Sequence, residues 1–350
     1  LTAIRGIAAL WVVTHHLTLA FRYPDLSTRA WRMLFMGYTG VDLFFVLSGF
    51  ILTSVYLDLA PSGLGDFALR RILRIYPLHL AVLAFIAIMS WFSIIWSYAG
   101  ADWATLPAVA LLIHPYLGLN HGFWNGVTWS AGIELSCYLW FPVALFLLRR
   151  LPTLVFLLLI TAAAYTEWTF QAVFPAEWTG WLSVARGWHG FALGMALGLL
   201  ATRVRLPRAV AMAGELAAAA VLGWAIFTIT IPLVPLAAGA FIWMLSYEAG
   251  PLARLLSRRA PVYLGKISFS IYLLHLPLRD VFDRLWPMAA HPSLNLMLLA
   301  REGLFFTVLI ILASVTHRLI ERPAQSLWRA RKPRVSVAPA SGQLSLNAGP

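Results

Sequence analysis

One cysteine in 350 residues, Cys137, excludes an internal disulfide and any thiolate metal cluster. It lies within ELSCYLWFP, an apolar stretch where it reads as a small packing residue. Charge is equally scarce. Only 11% of residues are charged against 61% hydrophobic, whereas a soluble domain runs near a quarter charged. With mean hydropathy of +0.78, too little polar side chain is present to cover a water-facing surface. The apolar residues fall into many separate runs of about 17 to 25 residues, each long enough to cross roughly 30 Å of hydrocarbon as helix. Lysine is almost missing: Lys266 and Lys332 stand alone and the other basic residues are arginines. The formal charge of +12 is not a nucleic-acid signature, because no basic tract interleaves with aromatics in a soluble module. Cytoplasmic loops of membrane proteins collect basic residues, and no nucleic-acid partner is expected.

The fold class read from this pattern is an all-α polytopic membrane protein of about ten transmembrane helices, with N- and C-termini cytoplasmic. The spans fall at roughly 2–21, 38–58, 77–98, 129–148, 152–174, 187–203, 209–228, 231–248, 264–284 and 297–318. ATLPAVALLI, residues 104–113, is too short to cross and reads as a re-entrant or interfacial piece. Counting ten puts Arg70, Arg71, Arg74, Arg149, Arg150, the Arg203–Arg208 stretch, Arg254, Arg258, Arg259 and Lys266 on the inner side, as the positive-inside rule asks. An eleventh span at 104–113 would put every later basic loop outside. Residues 1–323 form one membrane domain. Residues 324–350 form a cytoplasmic tail, whose Ser/Pro/Gly/Ala-rich end from Val335 lacks the apolar content to fold.

Ionisable groups at membrane depth mark function by default. Arg5 and His16 are eleven residues apart, and eleven steps of about 100° return to within about 20° of the starting direction. They share one helical face and lie about 16 Å apart along it. His15 points about 100° away, so geometry selects His16 and leaves His15 a structural neighbour. Asp42 opens the second span, which also holds Ser48–Gly49. Val46 replaces the first glycine of a hydrolase elbow, so Ser48 reads as helix packing rather than a nucleophile. Arg71 and Arg74 share a face with Arg70 beside them. They are either a positive-inside loop at the headgroups or a clamp for phosphates, which paired guanidiniums suit. Glu134 lies about one turn below the outer interface, close to Trp129 and Ser130. Ser268, Tyr272 and His275 follow an i, i+4, i+7 stripe, which with Ser270 gives the ninth span a polar face suited to lining a cavity.

LTAIRGIAALWVVTHH, GVDLFFVLSGF, RRILRIYP, TWSAGIE, GKISFSIYLLHLP and IERP occur in this order across residues 1 to about 323. Together they resemble the integral membrane acyltransferase-3 family of O-acyltransferases. The resemblance implies transfer of an acyl group, commonly acetyl, from a cytoplasmic acyl-CoA to a hydroxyl of a sugar, polysaccharide, glycolipid or glycosylated natural product. It implies a bacterial cytoplasmic membrane location and partners limited to acyl-CoA, the carbohydrate acceptor and membrane lipids. The family's Arg-x10-His motif falls on Arg5 and His16, its Arg-x-x-Arg motif on Arg71 and Arg74, and the motif glutamate on Glu134. His16, Arg5 and Glu134 are thus the expected catalytic residues. Arg70, Arg71 and Arg74 are expected to hold acetyl-CoA or another acyl-CoA, with no metal. Trp129, Ser130, Tyr272, His275 and Asp42 are expected to line the acceptor side. The family often opens Leu-Asp-Gly-Leu-Arg-Gly, where this chain has Thr2 and Ala3, so any role of that aspartate is absent. The rival class is a transporter or flippase of a lipid-linked or carbohydrate substrate, whose intramembrane polar groups bind without reacting. Oligomeric state and acceptor identity are not encoded in any of these motifs.

Overall fold

The computed structural model describes residues 1–20, 28–92, 102–119, 124–150, 152, 181–287 and 295–331. All regular structure in these residues is helical: α1 (Thr2–Ala20), α2 (Thr28–Phe35), α3 (Gly40–Tyr56), α4 (Leu64–Trp91), α5 (Leu106–Ala110), α6 (Thr128–Arg150), α7 (Trp181–Arg203), α8 (Arg208–Thr228), α9 (Leu233–Leu245), α10 (Pro251–Leu256), α11 (Arg259–Lys266), α12 (Ser268–Leu285), α13 (Leu296–Thr316) and α14 (Arg322–Arg331), with short 3₁₀ turns between some of them. Five stretches are long and apolar enough to cross a membrane: Ala30–Tyr56, Pro61–Trp91, Thr128–Arg150, Arg208–Thr228 and Leu296–Leu327. α1 is 19 residues long, but Arg5, His15 and His16 lower its hydropathy. The span expected at 152–174 lies outside the described residues.

Several expected boundaries shift: α7 begins at Trp181 rather than 187, the span expected at 264–284 is divided between α11 and α12 at Ile267, and two larger shifts touch the site. α4 begins at Leu64, thirteen residues before the expected start at 77, so Arg70, Arg71 and Arg74 ride on a 28-residue helix that runs through Pro77. Arginine is a good helix former, and the charge that marks a membrane edge does not mark a helix end. At the C-terminus, α14 carries helix to Arg331, past the expected boundary at 323. The stretch 104–113 forms no span: Trp103–Thr105 and α5 are short turns laid against α4, where His79 Nε2 meets the Val109 carbonyl at 3.0 Å.

α1 divides the interior. Ile4, Ala8 and Val12 belong to a large apolar core, while Ala9, Val13 and Leu17 belong to a second, smaller one with Ile271 and Phe305. Each set is spaced at four residues and so forms a stripe. Arg5 and His16 lie along the seam between the two stripes.

α3 and α7 pack backbone to backbone. A methyl group added at Gly194 would meet the Val46 carbonyl, and one at Gly49 the Phe191 carbonyl. Gly49 is therefore close helix packing, as small residues favour between membrane helices, whereas Ser48 beside it hydrogen-bonds Glu134. Gly194→Leu is expected to force the pair apart at a cost of at least about 1–3 kcal/mol, read as a lowered thermal-unfolding midpoint in detergent.

Candidate active site

The polar groups assemble from four helices around a narrow cavity lined by Arg5 (α1), Phe44 (α3), Ser130 and Glu134 (α6), and Ser268 and Tyr272 (α12), among others. Its free volume is about 30 Å3, roughly two waters' worth at about 10–15 Å3 each. Ser130 Oγ and the Tyr272 hydroxyl are 2.7 Å apart, and the Tyr272 hydroxyl also donates to the Val127 carbonyl at 3.2 Å. Ser48 donates to Glu134 Oε1 at 2.8 Å, and the Tyr138 hydroxyl donates to the same oxygen. Two hydroxyl donors thus fix one oxygen of the Glu134 carboxyl.

Glu134 thus shares the cavity with Arg5, where its sequence position suggested the opposite, outer side. Glu134 is six residues into α6, about 9 Å from that helix's start. Arg5 sits one turn inside α1 and reaches inward on a long side chain. Both line the one cavity.

On the α4 side, Arg71 stands over three aromatic faces, with its guanidinium carbon 5.8 Å from the Tyr56 ring, 5.8 Å from Phe67 and 5.4 Å from Tyr138. Arg5 lies 5.9 Å from the Phe44 ring. Among the described residues neither Arg5 nor Arg71 makes a hydrogen bond or ion pair, and the Nε of each is buried without a partner. Arg71, Arg74 and Glu134 all act electrostatically on Arg5. A guanidinium that no direct hydrogen bond or ion pair holds keeps its planar fork free for an anionic group.

Arg74 differs. It pairs with Glu321 at 3.1 Å, and Glu321 is 1% exposed. Ser270 donates to Glu321 Oε1. A π turn, His317–Glu321, between α13 and α14 carries Glu321 to that position. Arg70 donates to the Tyr56 hydroxyl at 3.2 Å.

The second cluster sits around His16. Its ring centroid is 4.9 Å from that of His275, and His275 Nε2 is 3.2 Å from His16 Nδ1. His15 turns aside, its ring edge-on to Phe35 and its Nδ1 on the Phe35 carbonyl. Tyr272 joins the clusters, its ring lying 5.9 Å from Phe44 and 5.8 Å from His275. Pro277, inside α12, lacks the N–H that the Leu273 carbonyl would otherwise accept. The buried Asn125 amide fills that place at 2.8 Å.

The remaining expected residues lie elsewhere. Asp42 is buried and held bidentately by Arg186, with Nε–Oδ1 and Nη2–Oδ2 both at 2.7 Å. Trp129 packs half-buried against the large core, and Cys137 is a buried free thiol. Tyr138 and Arg186 escaped sequence reasoning, and Glu321, though part of the IERP stretch, was given no partner there. Tyr138 was reachable, being i+4 from Glu134, whereas Arg186 is 144 residues from Asp42 and no spacing rule connects them. Among the described residues, no group of three His, Cys, Asp or Glu side chains is placed to hold a metal.

Comparison with known proteins adds to this geometry. The family model described as Acyltransferase domain matches residues 1–318. Acyltransferase MdmB of Streptomyces mycarofaciens is 30% identical over 385 aligned positions, covering 97% of this chain and 94% of that protein. O-acetyltransferase OatA of Staphylococcus aureus is 28% identical over 166 positions, 43% of this chain and 25% of that protein. No solved structure matches.

Proposed function

The chain belongs to the acyltransferase-3 family, and from that premise we propose that it moves an acyl group, acetyl first among them, from acyl-CoA to a hydroxyl of a carbohydrate or glycosylated acceptor. The observation that carries this reading is a continuous polar line. It runs from Arg71 through Tyr138 and Glu134 to the Arg5 cavity, and by Tyr272 to His275 and His16. The similarity to an enzyme named as an O-acetyltransferase supports acetyl as the group and oxygen as the acceptor.

Arg71 offers an uncommitted cation to the donor's phosphates, with Arg74 and Arg70 beside it. The thioester end enters by way of the Arg5 cavity. Arg5 guides that end toward the His16–His275 cluster, which lies beyond Tyr272. His16 takes the proton of the acceptor hydroxyl, whose oxygen attacks the acyl carbon as the carbon–sulfur bond breaks, and returns that proton to the leaving thiolate. Direct attack by the His16 imidazole, followed by transfer to the acceptor, uses the same atom. Glu134, with Ser48 and Tyr138 donating to it, orients acceptor hydroxyls or Arg5. Ser130, Tyr272 and His275 border the reacting end. Trp129 and Asp42 serve the acceptor side as supports, Asp42 through Arg186.

This reading includes ten spans with both termini on the cytoplasmic side of a bacterial inner membrane, so that the α4 arginines face cytosolic acyl-CoA. Purified protein incubated with acetyl-labelled acetyl-CoA and a panel of sugars and glycolipids is expected to transfer or hydrolyse the label. Complete absence of both, with acceptor transport intact, would instead make it a carrier.

A further inference from the structure

We infer that His275 is the positioning partner of His16, taking the His16 Nδ1 proton in a hydrogen bond and so leaving Nε2 of His16 as the reacting atom. The inference rests on the acyl-transfer reading above and adds to it which nitrogen reacts and what aims it.

The argument starts from carbonyls, which only accept. His275 Nδ1 lies 2.7 Å from the Tyr272 carbonyl, so this nitrogen carries the proton and donates it. In a neutral ring the other nitrogen then holds a lone pair. That nitrogen, His275 Nε2, is the one facing His16 Nδ1 at 3.2 Å. His16 Nδ1 in turn lies 3.0 Å from the Val12 carbonyl, so it too carries a proton, shared between the Val12 oxygen and the His275 lone pair. Two backbone carbonyls therefore set both tautomers. The lone pair of His16 is left on Nε2, where an acceptor hydroxyl or a thioester carbon can meet it.

The partner is fixed more firmly than the group it aims. His275 is 1% exposed. Its carbonyl acceptor belongs to Tyr272, whose hydroxyl is tied to Ser130 and to the Val127 carbonyl. The proline-broken turn just beyond is held by Asn125. His15 cannot substitute, because its Nδ1 is engaged by the Phe35 carbonyl.

The role follows from the charge change. When Nε2 of His16 takes the hydroxyl proton, the ring becomes an imidazolium and its Nδ1–H···Nε2 bond to His275 becomes charge-assisted, and such bonds are roughly twice as strong as neutral ones. When Nε2 gives that proton to the thiolate, the bond relaxes. The proton count balances, and His275 is neutral before and after. A histidine–carboxylate pair works by the same logic, with an imidazole here in the carboxylate's place.

The test uses full-length protein purified in detergent, acetyl-CoA, and an acceptor taken by the wild type. His275→Ala is expected to lower kcat about 10- to 100-fold, the range for losing one hydrogen bond to a charged group, with KM for acetyl-CoA within about twofold, since the donor's anchors lie on α4. His275→Gln, whose amide oxygen can accept from the same Nδ1–H, is expected to recover most of that loss. Equal activity in the two variants, or full kcat in His275→Ala, would overturn the pairing. Nitrogen-15 spectra of histidine-labelled protein, with His16 assigned by its loss in His16→Ala, are expected to show His16 protonated at Nδ1; protonation at Nε2 overturns the pairing even where an alanine variant does not fold. A wild type that neither transfers nor hydrolyses acetyl-CoA would instead remove the reading beneath it.

Discussion

His16→Ala is expected to lower acyl transfer by about 10²- to 10⁴-fold, the usual contribution of a positioned acid–base group, while KM for acetyl-CoA stays close to wild type. The separation follows from geometry. The uncommitted cation that would hold the donor is Arg71 on α4, surrounded by Tyr56, Phe67 and Tyr138. His16 meets that end of the site only through His275 and Tyr272. The fold should tolerate the change, because His16 lies on the seam between two apolar cores and its truncation strands no buried charge. His15→Ala is the matched control. It removes a ring packed on Phe35 and Tyr38 and should cost stability with little change in kcat. Steady-state rates of both purified variants decide the matter: turnover retained in His16→Ala removes the imidazole from the chemistry.

Arg71→Ala is expected to weaken coenzyme A binding about 10- to 100-fold, from the loss of charge-assisted bonds to phosphate. Arg71 is the cleaner test of the two motif arginines because no carboxylate holds it, so its removal strands no partner. Arg74 is different. Truncating it takes the guanidinium from buried Glu321, which keeps only Ser270 and His317 beside it, and so lowers stability as well as any binding. An Arg74→Ala effect on binding is therefore interpretable only alongside Glu321→Gln. Lysine at 71 should rescue poorly, since an ammonium neither stacks on three rings nor offers a planar fork. Calorimetric titration with coenzyme A, repeated at two salt concentrations, reads the effect. Unchanged affinity would place the donor's phosphates elsewhere.

Much of the helical layout was legible because apolar runs of membrane length have few alternatives. The expected 297–318 and 209–228 spans match α13 and α8 within a residue or two. Legibility failed where charge was read as a boundary. RRILRIYP looked like a loop edge, and the structure continues α4 through it and through Pro77. In the site, whatever depended on one helix's period could be read: Arg5 with His16 on α1, and Ser268 with Tyr272 and His275 on α12. Whatever depended on two helices meeting could not. The His16–His275 contact joins residues 259 apart and the Arg74–Glu321 pair residues 247 apart. Asp42 shows the limit most plainly, since nothing around it announces that Arg186 will take both its oxygens.

The π turn between α13 and α14 has a consequence for how the chain tolerates change in length. Such a turn bonds each residue to the fifth rather than the fourth along, so His317–Glu321 holds one residue more than the same rise of α-helix would. Removing any one of His317 to Ile320 would let the segment close up as ordinary helix. Glu321 would then keep nearly its present direction toward Arg74 and Ser270, since the turn gives up only the residue it holds in excess. At this place the chain can lose one residue and keep the geometry of the Arg74–Glu321 pair.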